Sequence, residues 1–464
     1  LFLAKASYIA DSTRQAKPFS CNKRAMEKPF YIDIPYTDPA QLFAAHAQAP
    51  YAQFLDSAMY DEDQGRYSFI VMDPVDVFED GANAFDRLKE YLAKYRFERH
   101  EDMPPFQGGA VGYFSYELLH QLENIPAVEK DTLSTPDIRL GFYDSVAAFD
   151  HQKQKAWIFS LNGPDKADHL KEKLYNSPCP QTSFHPVNVN WQSDFDQNSY
   201  MAAVQKVINY IHAGDIFQAN LTQRFTAALP KDFSPYGFYQ NLRIINPALF
   251  AAYLNFDEFS IASSSPERFL KLDHKKAETR PIKGTRPRHC DPQRDQKNAA
   301  DLAQSAKDRA ENTMIVDLLR NDLSKVCTPH SVQVPELCAV HSFASVHHLV
   351  STVTGELEDD KTAADLLAGC FPGGSITGAP KVRAMEIISE LEACPRGPYC
   401  GAIGYIGFDG NMDTNIVIRT VIFKDNTAAA QVGGGIVADS DPLAEYNETL
   451  DKARALFDAF RQKG

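Results

Sequence analysis

Strand-like and helix-like segments follow one another irregularly along this chain of 464 residues, and that irregularity constrains the fold more than any single motif. A parallel sheet needs a crossover of a dozen or more residues between neighbouring strands, which gives a regular strand–helix–strand rhythm. Here RYSFIVM (66–72), GFYDSVAAFD (141–150) and KAWIFSL (155–161) read as strands, the last two forming a hairpin around the turn-like HQKQK. A helix is predicted from Ser199, as cap, to Gly214, with Val204, Ile208 and Ile211 as its apolar stripe. Strands resume at ALFAAYLNF (248–256) and FSIASSS (259–265). A long helix is predicted over about Asp301–Leu323, with Ala303, Ala306, Ala310, Met314 and Leu318 on one face. Another starts after Pro380, and a last one after Pro442 carries Leu450, Ala453, Phe457 and Phe460. The pattern implies an α+β fold built on antiparallel sheets and argues against a Rossmann type.

The polar, proline-bearing segment 176–198 reads as a linker between an N-terminal region, 26–175, and a second region, 199–464. Residues 1–25 precede the first methionine, Met26, and read as an extension outside the fold. A net charge of −14 argues against a nucleic-acid partner, which would need a basic surface. The eight cysteines are scattered with no C-x-x-C pair, as expected for reduced thiols in the cytoplasm. The apolar opening LFLAKASYIA is too short to span a membrane.

Four groups of residues could carry chemistry. Asp308 and Glu311 are three apart and share a helix face; Glu445 and Glu448 repeat the spacing near the C-terminus. Two such pairs could hold one Mg²⁺, which prefers oxygen ligands, or could be two solvated helix faces. The run FPGGSITGAPK (371–381) leads into a helix, where backbone amides converge on an anion. It is not a phosphate loop, because Val382 follows the lysine where serine or threonine is required. Gly433–Gly435, after the strand-like AAAQV, would let a ligand approach the main chain, or make a tight turn. Finally, SSSPERF (263–269) and RPIKGTRPR (280–288) offer Glu267 as an acid or base and Lys283 in an apolar-flanked strand. Such a lysine is either a nucleophile or a strand-end residue reaching for solvent. His347 and His348 are adjacent, so on a strand at most one serves a given site.

Taken together, S-P-E-R-F, P-I-K-G-T-R, A-K-D-R-A-E-N, H-H-L-V-S, G-G-S-I-T-G-A-P-K-V-R-A-M, G-A-I-G-Y and G-G-G-I-V occur in the order that resembles the chorismate-utilising enzymes. These are the anthranilate, aminodeoxychorismate, isochorismate and salicylate synthases. The resemblance covers roughly 197–460, with GGAVGYFSYEL (108–118) as a landmark in the more variable N-terminal half. It implies two large antiparallel sheets packed as a sandwich with helices outside. It also implies that Glu311 and Glu448 hold Mg²⁺, supported by Asp308 and Glu445. Tyr399, Arg419 and the backbone of Gly433, Gly434 and Gly435 match positions that hold the enolpyruvyl carboxylate. Ser375 and Thr377 lie beside the substrate in that scheme, with Thr285 also counted among the binding residues. Lys452 matches a position near the ring carboxylate and metal, His348 the histidine near the ring, and Glu267 the general acid.

Two positions place the chain within the family. Where isochorismate and salicylate synthases carry a water-activating lysine, this chain has Gln218. Where anthranilate synthases usually read Pro-Ile-Ala-Gly-Thr, it has Lys283 in third place, which resembles the aminodeoxychorismate synthases. That implies amination of chorismate to 4-amino-4-deoxychorismate through a lysine-bound intermediate, on the route to para-aminobenzoate and folate. The alternatives are anthranilate synthesis and a non-catalytic chorismate- or tryptophan-binding regulator. No amidotransferase nucleophile elbow is visible, so a glutamine amidotransferase partner is expected to supply ammonia. LDSAMYDEDQGRYSF (55–69) falls where relatives can hold a tryptophan.

Overall fold

The computed structural model describes residues 27–461, apart from Asp63, Asp80, 129–132, 179–183 and Ser345. The expected extension 1–25 and part of the expected linker lie outside the described residues. Among the described residues, two antiparallel sheets of twelve and ten strands form the body. Each draws on both ends of the chain. In the larger sheet Gln53–Asp56 pairs with Phe250–Asn255, and in the smaller one Gly109–Phe114 pairs with Ala402–Gly407. The segment 176–198 therefore separates two stretches of sequence whose strands are shared between both sheets.

The sheets face each other across an apolar layer, as expected for a sandwich. Tyr113 and Ile403 of the smaller sheet pack with Leu254, Ile261, Ile422 and Ala429 of the larger. Farther along, Val111 and Tyr405 meet Phe69, Val146 and Phe159. Helices cover the outer faces: Ala306–Ser324 and Ala363–Cys370 on the smaller sheet, Pro235–Ile245 and Pro442–Asp458 on the larger.

Three local expectations are corrected. GFYDSVAAFD is not one strand: Ile138–Tyr143 lies in the smaller sheet and Ser145–Asp150 in the larger, so the chain changes layers at Asp144. The hairpin of Ser145–Asp150 with Lys155–Ser160 is present. The helix Gln197–Ala213 is capped by Asp196, not Ser199; Ser199 closes a reciprocal capping box from the third position. Gly214 ends it in the left-handed conformation, φ 84°. The long helix is two, Pro292–Gln304 and Ala306–Ser324, because the Ser305 side chain accepts the Asp308 amide and starts a new helix.

Candidate active site

Lys283 stands on the edge strand Ile282–Pro287 of the smaller sheet, paired with Val346–Glu356. The register shifts between Ile282 and Thr285, so Lys283 and Gly284 form an irregularity in the ladder. Gly284 has φ +77°, and a Cβ there would meet Asp308 at 2.9 Å, so no other residue fits without strain. The Lys283 ammonium lies 3.1 Å from Glu311 Oε1 and donates to the Ser375 carbonyl at 3.0 Å. Gln218 Nε2 donates to the same Glu311 oxygen at 2.8 Å. Burial pushes the Glu311 carboxyl upward, but Lys283 and Gln218 outweigh it and hold it below its ordinary value.

Glu267, 6% exposed, immediately precedes the strand Arg268–Asp273. Burial raises its pKa, opposed by the charge of Lys283 and by hydrogen bonds to Ser375 and the Ile282 backbone. A carboxyl whose protonated form is favoured by burial can deliver a proton to a leaving group.

A second cation, close to His348, stands without an acid beside it. Arg419, at φ 51°, donates to Asn246 Oδ1 at 3.3 Å, and among the described residues it makes no ion pair. Burial pulls its pKa down, the mark of a cation short of an anion. His348 is buried, and its Nδ1 lies 2.9 Å from the Thr285 hydroxyl. Burial and then Arg419 lower it to about 4, so it is neutral at ordinary pH. His347 faces away, toward Asp295 and Ser342.

The glycines join the two acidic helices to this floor. They lie on Thr427–Ile436, paired with Gln218–Ala228. A Cβ on Gly435 would sit 2.1 Å from the Gln218 amide and 3.2 Å from Glu311; one on Gly434 would sit 3.1 Å from Glu445 and 3.6 Å from Glu448. Gly433 accepts from Lys452 Nζ at 2.8 Å, and Lys452 also pairs with Glu448 at 2.7 Å. Glu445 is buried, accepts from Ser440 at 2.6 Å, and is raised by burial against the pull of Ser440, with Glu448 adding to the rise. Lys307 acts on both Glu311 and Glu445, which places the two acidic groups on one side of the molecule.

Not every expected residue joins this group. Asp308 is tied to Arg286 at 2.9 Å. The Thr377 hydroxyl is spent on the Gly373 carbonyl at 3.0 Å. Tyr399 is buried and lines a small cavity with Arg224, Thr420 and Gln431. Gln218 and Arg286 are tied to the acidic residues themselves, a role that their sequence positions alone do not signal. For a divalent cation the donors are right in kind: Glu311, Glu445 and Glu448 offer only carboxylate oxygen. They are not closed around a point, since no set of three metal-ligating side chains converges among the described residues.

A second cavity of about 120 Å³ lies between the sheets beside Arg268. Leu55, Ser57, Tyr67 and Phe69 line one side, Arg268, Asp413 and Asn415 the other.

An arginine awaiting an anion, a buried acid and a partly buried lysine mark this as an enzyme site for a small anionic substrate. The sequence matches the family described as chorismate binding enzyme over residues 55–458. It is 42% identical over 432 residues to aminodeoxychorismate synthase component 1 of Escherichia coli (strain K12), covering 89% of this chain and 94% of that protein. It is 41% identical over 368 residues to anthranilate synthase component 1 of Thermus thermophilus, covering 78% and 79%. The crystal structure of anthranilate synthase component I from Streptococcus pneumoniae TIGR4 superposes with a TM-score of 0.77 at 33% identity, covering 86% of this chain and 94% of that one. The chain belongs to the chorismate-binding enzyme family. It is an enzyme that acts on chorismate. No helix among the described residues is long and apolar enough to cross a membrane.

Proposed function

We propose that this chain aminates chorismate at the ring carbon bearing the hydroxyl, giving 4-amino-4-deoxychorismate, with Lys283 as nucleophile. The observation that carries the reading is the placement of Lys283 between Glu311 and the Ser375 carbonyl, within the field of buried Glu267. Arg419 and Lys452 would take the two carboxylates of the substrate, and neutral His348 would line the ring. The Lys283 amine, having given up a proton, bonds to the ring carbon next to the carboxylate-bearing one. The two ring double bonds shift, and the C–O bond to the hydroxyl breaks as Glu267 supplies a proton, releasing water. Ammonia then adds at the carbon so vacated, the double bonds shift back, and the lysine leaves as its amine. Glu267 is placed to take the surplus proton from the added ammonia. Glu311 and Glu448, with Glu445, would hold Mg²⁺, whose charge would draw electrons from the ring carboxylate. Ammonia would come from a glutamine amidotransferase partner, as the name "component 1" of the Escherichia coli relative suggests.

The second cavity falls on the segment 55–69, and its apolar wall with Arg268, Asp413 and Asn415 suits an amino acid with an aromatic side chain; we assign it to tryptophan. The test of the main reading is product identification after incubation with chorismate, Mg²⁺ and an ammonium salt. Aminodeoxychorismate, still carrying its enolpyruvyl group, is expected, and Lys283→Ala should abolish it. Formation of anthranilate, or full activity without the lysine, would refute the assignment.

A further inference from the structure

Arg396 is among the largest fully buried side chains, at 1% exposure, and its ion-pair partner Glu392 is at 3%. Its guanidinium lies 4.5 Å over the Tyr116 ring. Nε and one terminal nitrogen grip Glu392 at 2.9 and 2.7 Å. That same terminal nitrogen donates to the Asn220 carbonyl at 2.6 Å, and the other to the Ile376 carbonyl at 2.8 Å. Glu392 in turn accepts from the backbone amide and hydroxyl of Thr222 at 2.9 and 2.8 Å. The circuit closes through the Asn220 amide, which donates to the Thr377 carbonyl at 2.7 Å.

The two carbonyls that Arg396 spans are next to the reacting groups. Ile376 follows Ser375, whose carbonyl receives Lys283; Asn220 lies two residues beyond Gln218, which holds Glu311. The same loop is held at its start by a second buried cation. Lys381 pairs with Asp322 and donates to the carbonyls of Cys370 and Pro372 at 2.9 and 2.8 Å. Stability alone does not account for Arg396, because replacing a buried ion pair by apolar groups is often neutral or stabilising. What apolar side chains cannot do is fix two backbone carbonyls at a set separation.

We propose that Arg396, oriented by Glu392, is a positioning residue. It sets the loop 374–377 against the strand Gln218–Ala228, and through Ser375 and Gln218 it places Lys283 and Glu311. The inference rests on the reading of Lys283 as nucleophile. A misplacement of about 1 Å at reacting atoms can cost about 10²-fold in rate.

The experiment compares the full-length protein with Arg396→Lys, which keeps the charge but cannot span both carbonyls, and with the double variant Glu392→Gln/Arg396→Met, which leaves no buried charge unpaired. Chorismate and ammonium turnover gives kcat and KM, thermal unfolding reports the fold, and Lys283→Ala is run in parallel. The expected result is a kcat lower by about 10²-fold in either folded variant, with KM for chorismate and the melting temperature near those of the parent. Parental kcat in a folded variant, or a loss confined to KM, while Lys283→Ala is inactive, would overturn the positioning role and leave the nucleophile intact. An active Lys283→Ala would remove the nucleophile reading and this inference with it.

Discussion

The two acidic pairs have the same spacing on two helices, yet the structure treats them differently. On Ala306–Ser324 both carboxylates are partly buried and already matched by cations from one strand: Glu311 by Lys283, Asp308 by Arg286. On Pro442–Asp458 the pair is split. Glu445 is buried against Ser440, while the Glu448 side chain is 52% exposed and, among the described residues, is paired with Lys452 on its own helix. An exposed pair of this kind contributes little to stability. One wall of the site is therefore preset by the lysine strand, while on the other the Glu448 side chain is open to solvent and free to rearrange. A divalent cation placed between the walls would compete with Lys283 for Glu311 and with Lys452 for Glu448. Identical spacing says which carboxylates can meet, and the surrounding cations decide which are free.

The largest effect should come from removing one carboxylate from each wall. Glu311→Ala and Glu448→Ala should each lower Mg²⁺-dependent turnover by about 10²-fold or more, since a metal supplies several kcal/mol of charge stabilisation. A Mg²⁺ titration of turnover checks this. Should Glu448→Ala respond to Mg²⁺ as the parent does, the open wall has no part in metal binding and the comparison breaks. A smaller effect is expected at Asp308, whose carboxylate is engaged by Arg286. Asp308→Asn should cost about 10-fold in apparent Mg²⁺ affinity, the scale of an outer partner, with kcat at saturating Mg²⁺ little changed. A loss equal to that of Glu311→Ala would mean that the Arg286 pair opens in the working enzyme.

Much of this was legible in the sequence, and the parts that were not share a cause. The irregular rhythm pointed to antiparallel sheets because hairpin strands and their turns are local signals. Lys283, Glu311, Glu448 and Gly433–Gly435 stood out because their motifs are long and ordered. What stayed hidden depends on contacts between distant segments. Nothing near Asp144 marks the change of sheet. Ser305 could be read as a helix residue until its side chain is seen to accept the Asp308 amide. Arg286 looks like one more basic residue in RPIKGTRPR, and only the fold brings it to Asp308. Arg396, in the unremarkable stretch CPRGPY, holds together carbonyls at positions 220 and 376.

A last effect is expected on stability and not on turnover, on the preset wall, where His348 packs against Thr285. Burial and Arg419 lower this histidine from 6.5 to about 4, so the folded protein keeps it neutral while the unfolded chain protonates it. The stabilisation is fully present above pH 6.5 and is lost as pH falls through about 4. A shift of this size is worth about 3 kcal/mol at most, at 1.36 kcal/mol per unit. His348→Gln keeps a polar group facing Thr285 but cannot titrate. Urea unfolding of parent and variant at pH 7.5 and pH 4.5 should show a steeper acid loss in the parent. Equal acid losses in parent and variant would mean that His348 reaches water, and that the wall carrying Lys283 is no more closed than the one opposite.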